Sequence, residues 1–373
     1  MRGRGQASAR GPWTASGAVD FGGLPRDDTP SAPDLRPPPS IGRDRPRGDA
    51  PGRLGRLMRR PTIVIPDDYP VVMGSSPSFL NWRESTPCVY FDTLPGSEEG
   101  LLARIRDADI VINIRSSTKF PASVFAACPR LKLLSLWGTG TDSVDLAAAK
   151  QRGVTVTNTP GVSATSIAEH SLMLALAVAR RVIEIHNGVV AGGWPRGRSV
   201  QLQGKTLGVI GLGAIGRRFA RLGQGIGMRV IAWTMHPDPA LGFELVELDE
   251  LLRTSDVVSL HLRLSSQSTG FLGRDRLAFM KPGAILINTA RGPIVDEAAL
   301  IDALRERRLA GAGLDVFDAE PLPAGHPLTR LDNVVLTSHC AGITPEALEN
   351  GLALAIENVV NYLNGNPTNV VTL

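Results

Sequence analysis

Cysteine is scarce in this chain: three residues in 373, Cys88, Cys128 and Cys340, with no two closely spaced. That spacing indicates neither a disulfide framework nor a zinc site, so no metal is expected and a reducing, cytoplasmic setting is. Long apolar runs are missing too. No stretch reaches the roughly 18–20 residues of a membrane span. The nearest, Leu172 to Ala179, sits between Glu169-His170 and Arg180-Arg181 and reads as a buried helix; no membrane partner is expected. Lysine is absent from residues 1–57, yet ten arginines against six aspartates there carry the whole formal excess of +4, leaving the rest of the chain neutral. The pI near 9.2 therefore describes a terminal segment, and no nucleic-acid partner is required.

Residues 1–57 are rich in Gly, Pro and Arg and show no hydrophobic periodicity. They cannot bury enough surface to offset chain entropy and are expected to form a disordered tail. They contain no apolar stretch of the signal-peptide kind, and their aspartates argue against a transit peptide. A translation start at Met58, just ahead of the first strand pattern, accounts for them equally well. The remaining length suits two domains of about 100–200 residues each.

Short apolar runs at 62–65, 109–114 and 131–136 read as strands, with helical stretches such as Glu98 to Asp107 between them. A second series covers 206–210, 229–234, 256–260, 284–288, 313–317 and 333–337, with helices such as Glu297 to Arg307 interleaved. Strands alternating with helices imply parallel sheets, an α/β fold. The pattern predicts one long helix from Ser163 to Glu184, apolar almost all round and so buried between domains or subunits. A final helix, Pro345 to Leu363, stops at Asn364-Gly365.

Gly211-Leu212-Gly213-Ala214-Ile215-Gly216 matches G-x-G-x-x-G. Glycine is common here, so the motif alone is weak, but it follows a strand and opens a helix, as a dinucleotide site requires. Its first glycine permits the tight turn, its second lets backbone approach a pyrophosphate, its third allows close packing, and the helix N-terminus favours the negative charge. Gly204-Lys205-Thr206 ends like a P-loop, but Ser199 stands where that loop needs glycine. The acid that usually holds the ribose hydroxyls of NAD is missing, and Thr234 occupies its place. A neutral residue also admits a 2′-phosphate, for which His236 or Arg263 offers positive charge, so NAD is expected with NADP open.

Hydride transfer to or from a small 2-hydroxy or 2-oxo acid needs a carboxylate anchor, for which arginine's paired donors serve. It also needs a proton shuttle, for which histidine serves. A neighbouring carboxylate stabilises the imidazolium. Three segments at strand ends supply these types: 288–292 with Arg291, 315–321 with Glu320 and 338–342 with His339. Singly, each residue reads as an ordinary surface or structural group. Ligands of open α/β sheets bind beyond the strands' carboxyl ends, so all three would face one cleft.

With these segments, and with Gly138-Thr139-Gly140-Thr141-Asp142, Asn158-Thr159-Pro160-Gly161, Ala168-Glu169-His170, Gln203 to Gly208 and Glu357-Asn358, the chain from about 60 to 373 resembles the D-isomer-specific 2-hydroxyacid dehydrogenases. That family includes phosphoglycerate dehydrogenases and glyoxylate/hydroxypyruvate reductases. The resemblance implies two Rossmann-like, doubly wound domains, with an NAD(P)-binding domain (158–342) inserted into a split substrate domain (58–157 and 343–373), in a homodimer. It implies Arg291 on the substrate carboxylate, His339 as acid/base and Glu320 as its partner. Asp315 would orient the nicotinamide carboxamide. The cofactor would be held by Gly211, Gly213, Ala214, Ile215, Gly216, Thr234, His261, Thr289, Ala290, Asp315 and Gly342. Thr139 and Gly140 would hold the carboxylate through backbone N–H groups, and Arg115 and Ser116 would line the substrate side. Glu320 argues against the formate-dehydrogenase branch, whose histidine pairs with glutamine.

The sequence departs from the family pattern at Thr234, at Arg263 where proline is common, and at Ser338 and Cys340 around the histidine. Glu169 and His170 read as structural. Cys340, placed on a strand next to His339, is expected to point to the opposite face and pack. Two alternatives stand beside the general reading: a dedicated D-3-phosphoglycerate dehydrogenase, with which Arg115-Ser116-Ser117-Thr118 is compatible, and an NAD(H)-sensing corepressor that uses the basic tail as a docking arm.

Overall fold

The computed structural model describes residues 59–372, and the tail expected over 1–57 lies outside them. The first half runs β1 (Ile63–Ile65), α1 (Pro77–Ser85), β2 (Val89–Tyr90), α2 (Glu98–Ile105), β3 (Ile110–Asn113), α3 (Ala122–Ala127), β4 (Leu133–Leu136), α4 (Leu146–Gln151) and β5 (Thr155–Thr157). These strands form a parallel sheet in the order β2-β1-β3-β4-β5. Strands β1, β3 and β4 are buried at every position, as continuous apolar runs in a sheet covered on both faces must be. One face packs the cluster around Leu101, Ile105, Phe120 and Phe125.

Two helices follow, α5 (Ala164–Ala179) and α6 (Val182–Val190), then β6 (Thr206–Ile210), α7 (Ala214–Gly225), β7 (Arg229–Trp233), β8 (Glu244–Leu245), α8 (Leu248–Thr254), β9 (Val257–Leu260), α9 (Arg274–Phe279), β10 (Ile285–Asn288), α10 (Glu297–Arg305), β11 (Gly311–Leu314), β12 (Val334–Leu336) and α11 (Pro345–Leu363). Strands β6 to β12 make a second parallel sheet in the order β12-β11-β10-β9-β6-β7-β8. Strand order reverses at β6, where β7 pairs on one side and β9 on the other. Helices leave opposite faces there, which opens a crevice at the strands' carboxyl ends.

Helix α11 returns to the first sheet. Its Leu352, Ala355, Ile356 and Val359 complete the core cluster containing Ile63, Ile65 and Phe79, and Ser135 Oγ donates to the Ala355 carbonyl at 3.0 Å. Buried Asn358 ties the end of the chain to the strand exit at Asn158: its amide donates to the Asn158 carbonyl at 2.9 Å and accepts from Asn369 at 2.8 Å.

The single helix predicted from Ser163 to Glu184 is two. Arg181 takes a left-handed conformation (φ 52°) at the start of α6, between the end of α5 and the new axis. The Arg181 guanidinium pairs with Glu184 one turn on, a local arrangement that hydrophobic periodicity does not encode. Helix α5 buries Ala168, Ser171, Leu174 and Ala175 but leaves Met173 and Leu176 exposed, and α6 buries no residue. Within one chain, burial is therefore confined to part of α5.

Candidate active site

The glycine loop lies at the reversal point. Gly211 has φ +99°, and a Cβ there would stand 2.7 Å from the His261 carbonyl oxygen. At Gly216 a Cβ would stand 1.9 Å from the Gly211 carbonyl oxygen. Both positions need glycine for the protein's own packing. Gly213 does not: a Cβ there meets nothing within 4 Å. It caps α7 with no side chain on the first-turn N–H groups, so the backbone of Ala214 and Ile215 is left open to an anion. This cradle fits a dinucleotide pyrophosphate. His261 borders it, with Nε2 3.0 Å from Ser259 Oγ and its ring against Phe219. Burial pushes its pKa down to about 3, so it contributes a neutral wall. Thr234 follows directly on β7, beside the loop.

The catalytic segments converge beyond the same sheet. Asn288, buried at the end of β10, clamps the next turn by accepting from Ala290 N at 3.0 Å and donating to the Arg291 carbonyl at 2.9 Å. Thr289 is held on α5 through Ser171, oxygen to oxygen 2.9 Å. Gly292 lets this turn press against the loop that carries Glu320: a Cβ there would stand 2.0 Å from the Phe317 carbonyl carbon. Glu320 Oε1 accepts from Phe317 N at 3.0 Å, and Oε2 takes His339 Nδ1 at 2.7 Å. Burial works to raise the Glu320 pKa, but the hydrogen bonds and charge of His339, with Phe317 N and Arg291, hold it below the ordinary value. The imidazole is 39% exposed, and among the described residues its other nitrogen has no hydrogen-bond partner, which leaves it open to a ligand.

His339 is not on a strand. Strand β12 ends at Leu336 and His339 is left-handed at φ 52°. The alternation that placed Cys340 on an opposite face does not apply, and Cys340 Sγ lies 3.8 Å from Asp315 Oδ1. Asp315 itself is 1% exposed. It accepts from Thr337 Oγ1 at 2.5 Å, Cys340 N at 3.0 Å and Ala341 N at 2.9 Å, and so holds the histidine loop in place. At Gly342 a Cβ would come 3.3 Å from Ser163, which sets the loop closely on the start of α5.

From the other sheet come Thr139 and Gly140, whose backbone N–H groups are not taken up by any other described residue. Their segment is fixed by Gly138 N donating to Thr159 Oγ1 at 2.7 Å and Asn158 donating to the Thr139 carbonyl at 2.9 Å. Arg291 reaches this segment. Its Nε and Nη2 each lie 3.3 Å from an oxygen of Asp142, a partner the motif reading did not assign. Burial works to raise the Asp142 pKa, and the Arg291 guanidinium outweighs it and holds the carboxyl below its usual range.

Arg115 and Ser116 lie on the turn after β3. The Arg115 guanidinium is directed at the Pro70 carbonyl and stands 3.9 Å from Asp68, so it is committed to the protein. Ser116 accepts from Lys119 through its carbonyl at 3.0 Å. Two buried carboxylates organise this side. Asp67 takes Ile114 N and Arg115 N at 3.0 Å. Asp68 takes Val72 N and Met73 N at 2.9 Å and Tyr90 Oη at 2.7 Å. Their signal in the sequence is the Asp-Asp pair directly after the first strand run, which reads only as an exit turn.

A family model described as D-isomer specific 2-hydroxyacid dehydrogenase, NAD binding domain, matches residues 172–341. The chain is 40% identical over 332 residues to the glyoxylate reductase of Aeropyrum pernix, covering 84% of this chain and 96% of that protein. Among solved structures it is similar to an acyclic imino acid reductase in complex with NADPH and D-Arg (TM-score 0.77, 31% identity, 83% of this chain and 100% of that one). It is also similar to D-lactate dehydrogenase from Aquifex aeolicus complexed with NAD and lactic acid (TM-score 0.73, 28% identity, 82% of this chain and 96% of that one).

Proposed function

Since the chain belongs to the D-isomer-specific 2-hydroxyacid dehydrogenase family, NAD(P)-dependent oxidoreductases of CH–OH donors, we propose that it interconverts a small D-2-hydroxy acid and its 2-oxo acid, with Arg291, Glu320 and His339 as the working groups. The observation that carries this reading is the 2.7 Å bond between His339 Nδ1 and Glu320 Oε2, beside an arginine aimed at the same cleft. When bound, the nicotinamide cofactor gives or takes the hydride at C2.

Arg291 holds the substrate carboxylate, which takes the place of Asp142 on the guanidinium, while the N–H groups of Thr139 and Gly140 complete the cradle. His339 protonates the C2 oxygen in reduction and removes the proton in oxidation. Glu320 keeps Nδ1 protonated and balances the imidazolium, so the reactive proton sits on the nitrogen that faces the cleft. Closure of the two lobes, split at about 157/158 and 342/343, excludes water from the transfer. The cofactor is NAD or NADP, since Thr234 leaves the ribose position neutral and open to a 2′-phosphate. The exposed apolar side chains of α5 and α6, Val190 being 74% exposed, together with Trp194 just beyond α6 at 76%, support a homodimer.

The test is cofactor oxidation by the full chain with glyoxylate, hydroxypyruvate, pyruvate and phosphohydroxypyruvate, each with NADH and with NADPH. Turnover of any one supports the reading. Cofactor binding without turnover across all of them contradicts it.

A further inference from the structure

We propose that His170, Asp315 and Cys340 form a site for a thiophilic divalent cation, zinc being the type ion, built against the loop that carries His339. The three ligands come from three elements: α5, the exit of β11 and the loop after β12. Their ligand atoms all lie within 4.8 Å of one another. His170 Nε2 is 3.7 Å from Asp315 Oδ1, and Cys340 Sγ is 3.8 Å from the same oxygen.

A tetrahedral zinc ion, with bonds of about 2.0 Å to N and O and about 2.3 Å to S, sets an N–O pair roughly 3.3 Å apart and a pair with S roughly 3.5 Å apart. Two of the three pairs, at 3.7 and 3.8 Å, stand a few tenths of an ångström wider than that, and the third lies within 4.8 Å, so a modest contraction forms the site. Imidazole, carboxylate and thiolate together are a zinc donor set. Asp315 adds a physical reason. It is a buried carboxylate, and among the described residues His170 is the one basic group within 4.0 Å of it. Its charge is met by hydrogen bonds from Thr337, Cys340 and Ala341 and, among the described residues, by no Lys or Arg within 4.0 Å, so a bound cation is favoured there.

Thr337 Oγ1, which bridges Asp315 Oδ1 at 2.5 Å and His170 Nε2 at 2.9 Å, swings aside on binding. Ala341 N stays on the other carboxylate oxygen. The ion enters through the cavity lined by Ser166, Glu169, His170, Met173 and Cys340, from which water supplies the fourth ligand. The thiol proton leaves to solvent. The bound ion takes up Asp315, which the family resemblance places on the nicotinamide carboxamide, and pins the 337–341 loop to α5, so turnover falls. This consequence rests on the readings of Asp315 and His339 in the reaction; the binding itself does not.

The experiment is a cobalt(II) titration of the full chain, followed by its thiolate-to-cobalt charge-transfer absorption, with zinc added afterwards. A band saturating at a single cobalt per chain, displaced by zinc, absent in Cys340→Ala and weakened at least tenfold in His170→Gln is the expected result. Cys88 and Cys128 remain in both variants and report any unspecific thiol binding, and an unchanged thermal melt reports folding. Zinc should lower turnover of the wild type and leave Cys340→Ala unaffected. A band that persists unchanged in Cys340→Ala, or no band in the wild type, overturns the site. A Cys340-dependent band with undiminished turnover under zinc overturns its coupling to His339.

Discussion

Asp142 and Arg291 face each other at 3.3 Å, each from its own sheet, the carboxylate on one lobe and the guanidinium on the other. The guanidinium is thus paired within the protein, and on the proposed reading a substrate carboxylate replaces Asp142 on it. Both side chains are partly exposed, 27% for Arg291 and 35% for Asp142, and such a pair is worth about 1 kcal/mol or less. A 2-oxo acid has to outcompete it. Asp142→Asn should lower KM for the 2-oxo acid by up to about fivefold with little change in kcat, read from steady-state kinetics. A KM that rises instead would mean that Asp142 orients the arginine rather than masking it. Arg291→Ala should cost kcat/KM about a hundredfold or more, because paired charge-assisted bonds to the carboxylate are lost.

Two glycines set the same geometry and separate function from stability. A Cβ at Gly140 would lie 2.2 Å from Arg291 Nη2, at the end of a flexible side chain. Gly140→Ala should therefore displace the guanidinium, raising KM while the thermal midpoint barely moves. At Gly292 the nearest atoms are the backbone of Phe317 and Asp318, at 2.0 Å and 2.5 Å, and no rotamer relieves them. Gly292→Ala should destabilise the protein by about 1–3 kcal/mol or more. Equal thermal losses in the two variants would refute the distinction.

Most of the framework was legible in the sequence. Strands of a doubly covered sheet are apolar runs bounded by turns, so nine of the twelve strands could be read within about three residues, and the G-x-G-x-x-G turn fell where strand met helix; the short strands β2, β5 and β8 carry too few apolar residues to stand out. What was not legible came from long-range or backbone-specific contacts. The left-handed Arg181 breaks a helix whose side-chain pattern continues through it. The Asp142–Arg291 pair joins residues 149 apart, and nothing in either motif names the other. Asp67 and Asp68 read as a polar turn because sequence reports polarity and not burial, yet both are fully buried. The left-handed His339 overrode the strand alternation used to place Cys340.

Cofactor choice turns on the exit of β7. An acid there would bind the ribose hydroxyls of NAD and repel a 2′-phosphate. Thr234→Asp should therefore lower kcat/KM with NADPH by about tenfold or more while sparing NADH, in line with one added like-charge contact. A ratio of NADH to NADPH activity that does not change would place the ribose away from Thr234.

The neutral His261 gives a pH signature. Its folded pKa, pushed down by burial to about 3, lies below its ordinary 6.5. Between these values the unfolded chain binds more protons, so stability falls as pH is lowered through that window. Glu320 and Asp142, with folded values below their ordinary 4.5 and 3.8, contribute stability above those ordinary values and lose it only on further acidification. Urea unfolding from pH 6.5 down to 5 therefore isolates the histidine. The midpoint should fall across this interval in the wild type and flatten in His261→Gln. A slope of equal size in both would assign it elsewhere.

The most direct test of the account is single-turnover oxidation of enzyme-bound NADH or NADPH by the preferred 2-oxo acid, comparing wild type, His339→Gln and Glu320→Gln with cofactor binding measured in parallel. Cofactor affinity should be unchanged, with a rate reduced about 10²–10⁴-fold in His339→Gln and a smaller loss with an altered pH profile in Glu320→Gln. An undiminished rate in His339→Gln would contradict the acid/base role of His339, because the proton would then reach the C2 oxygen from another group.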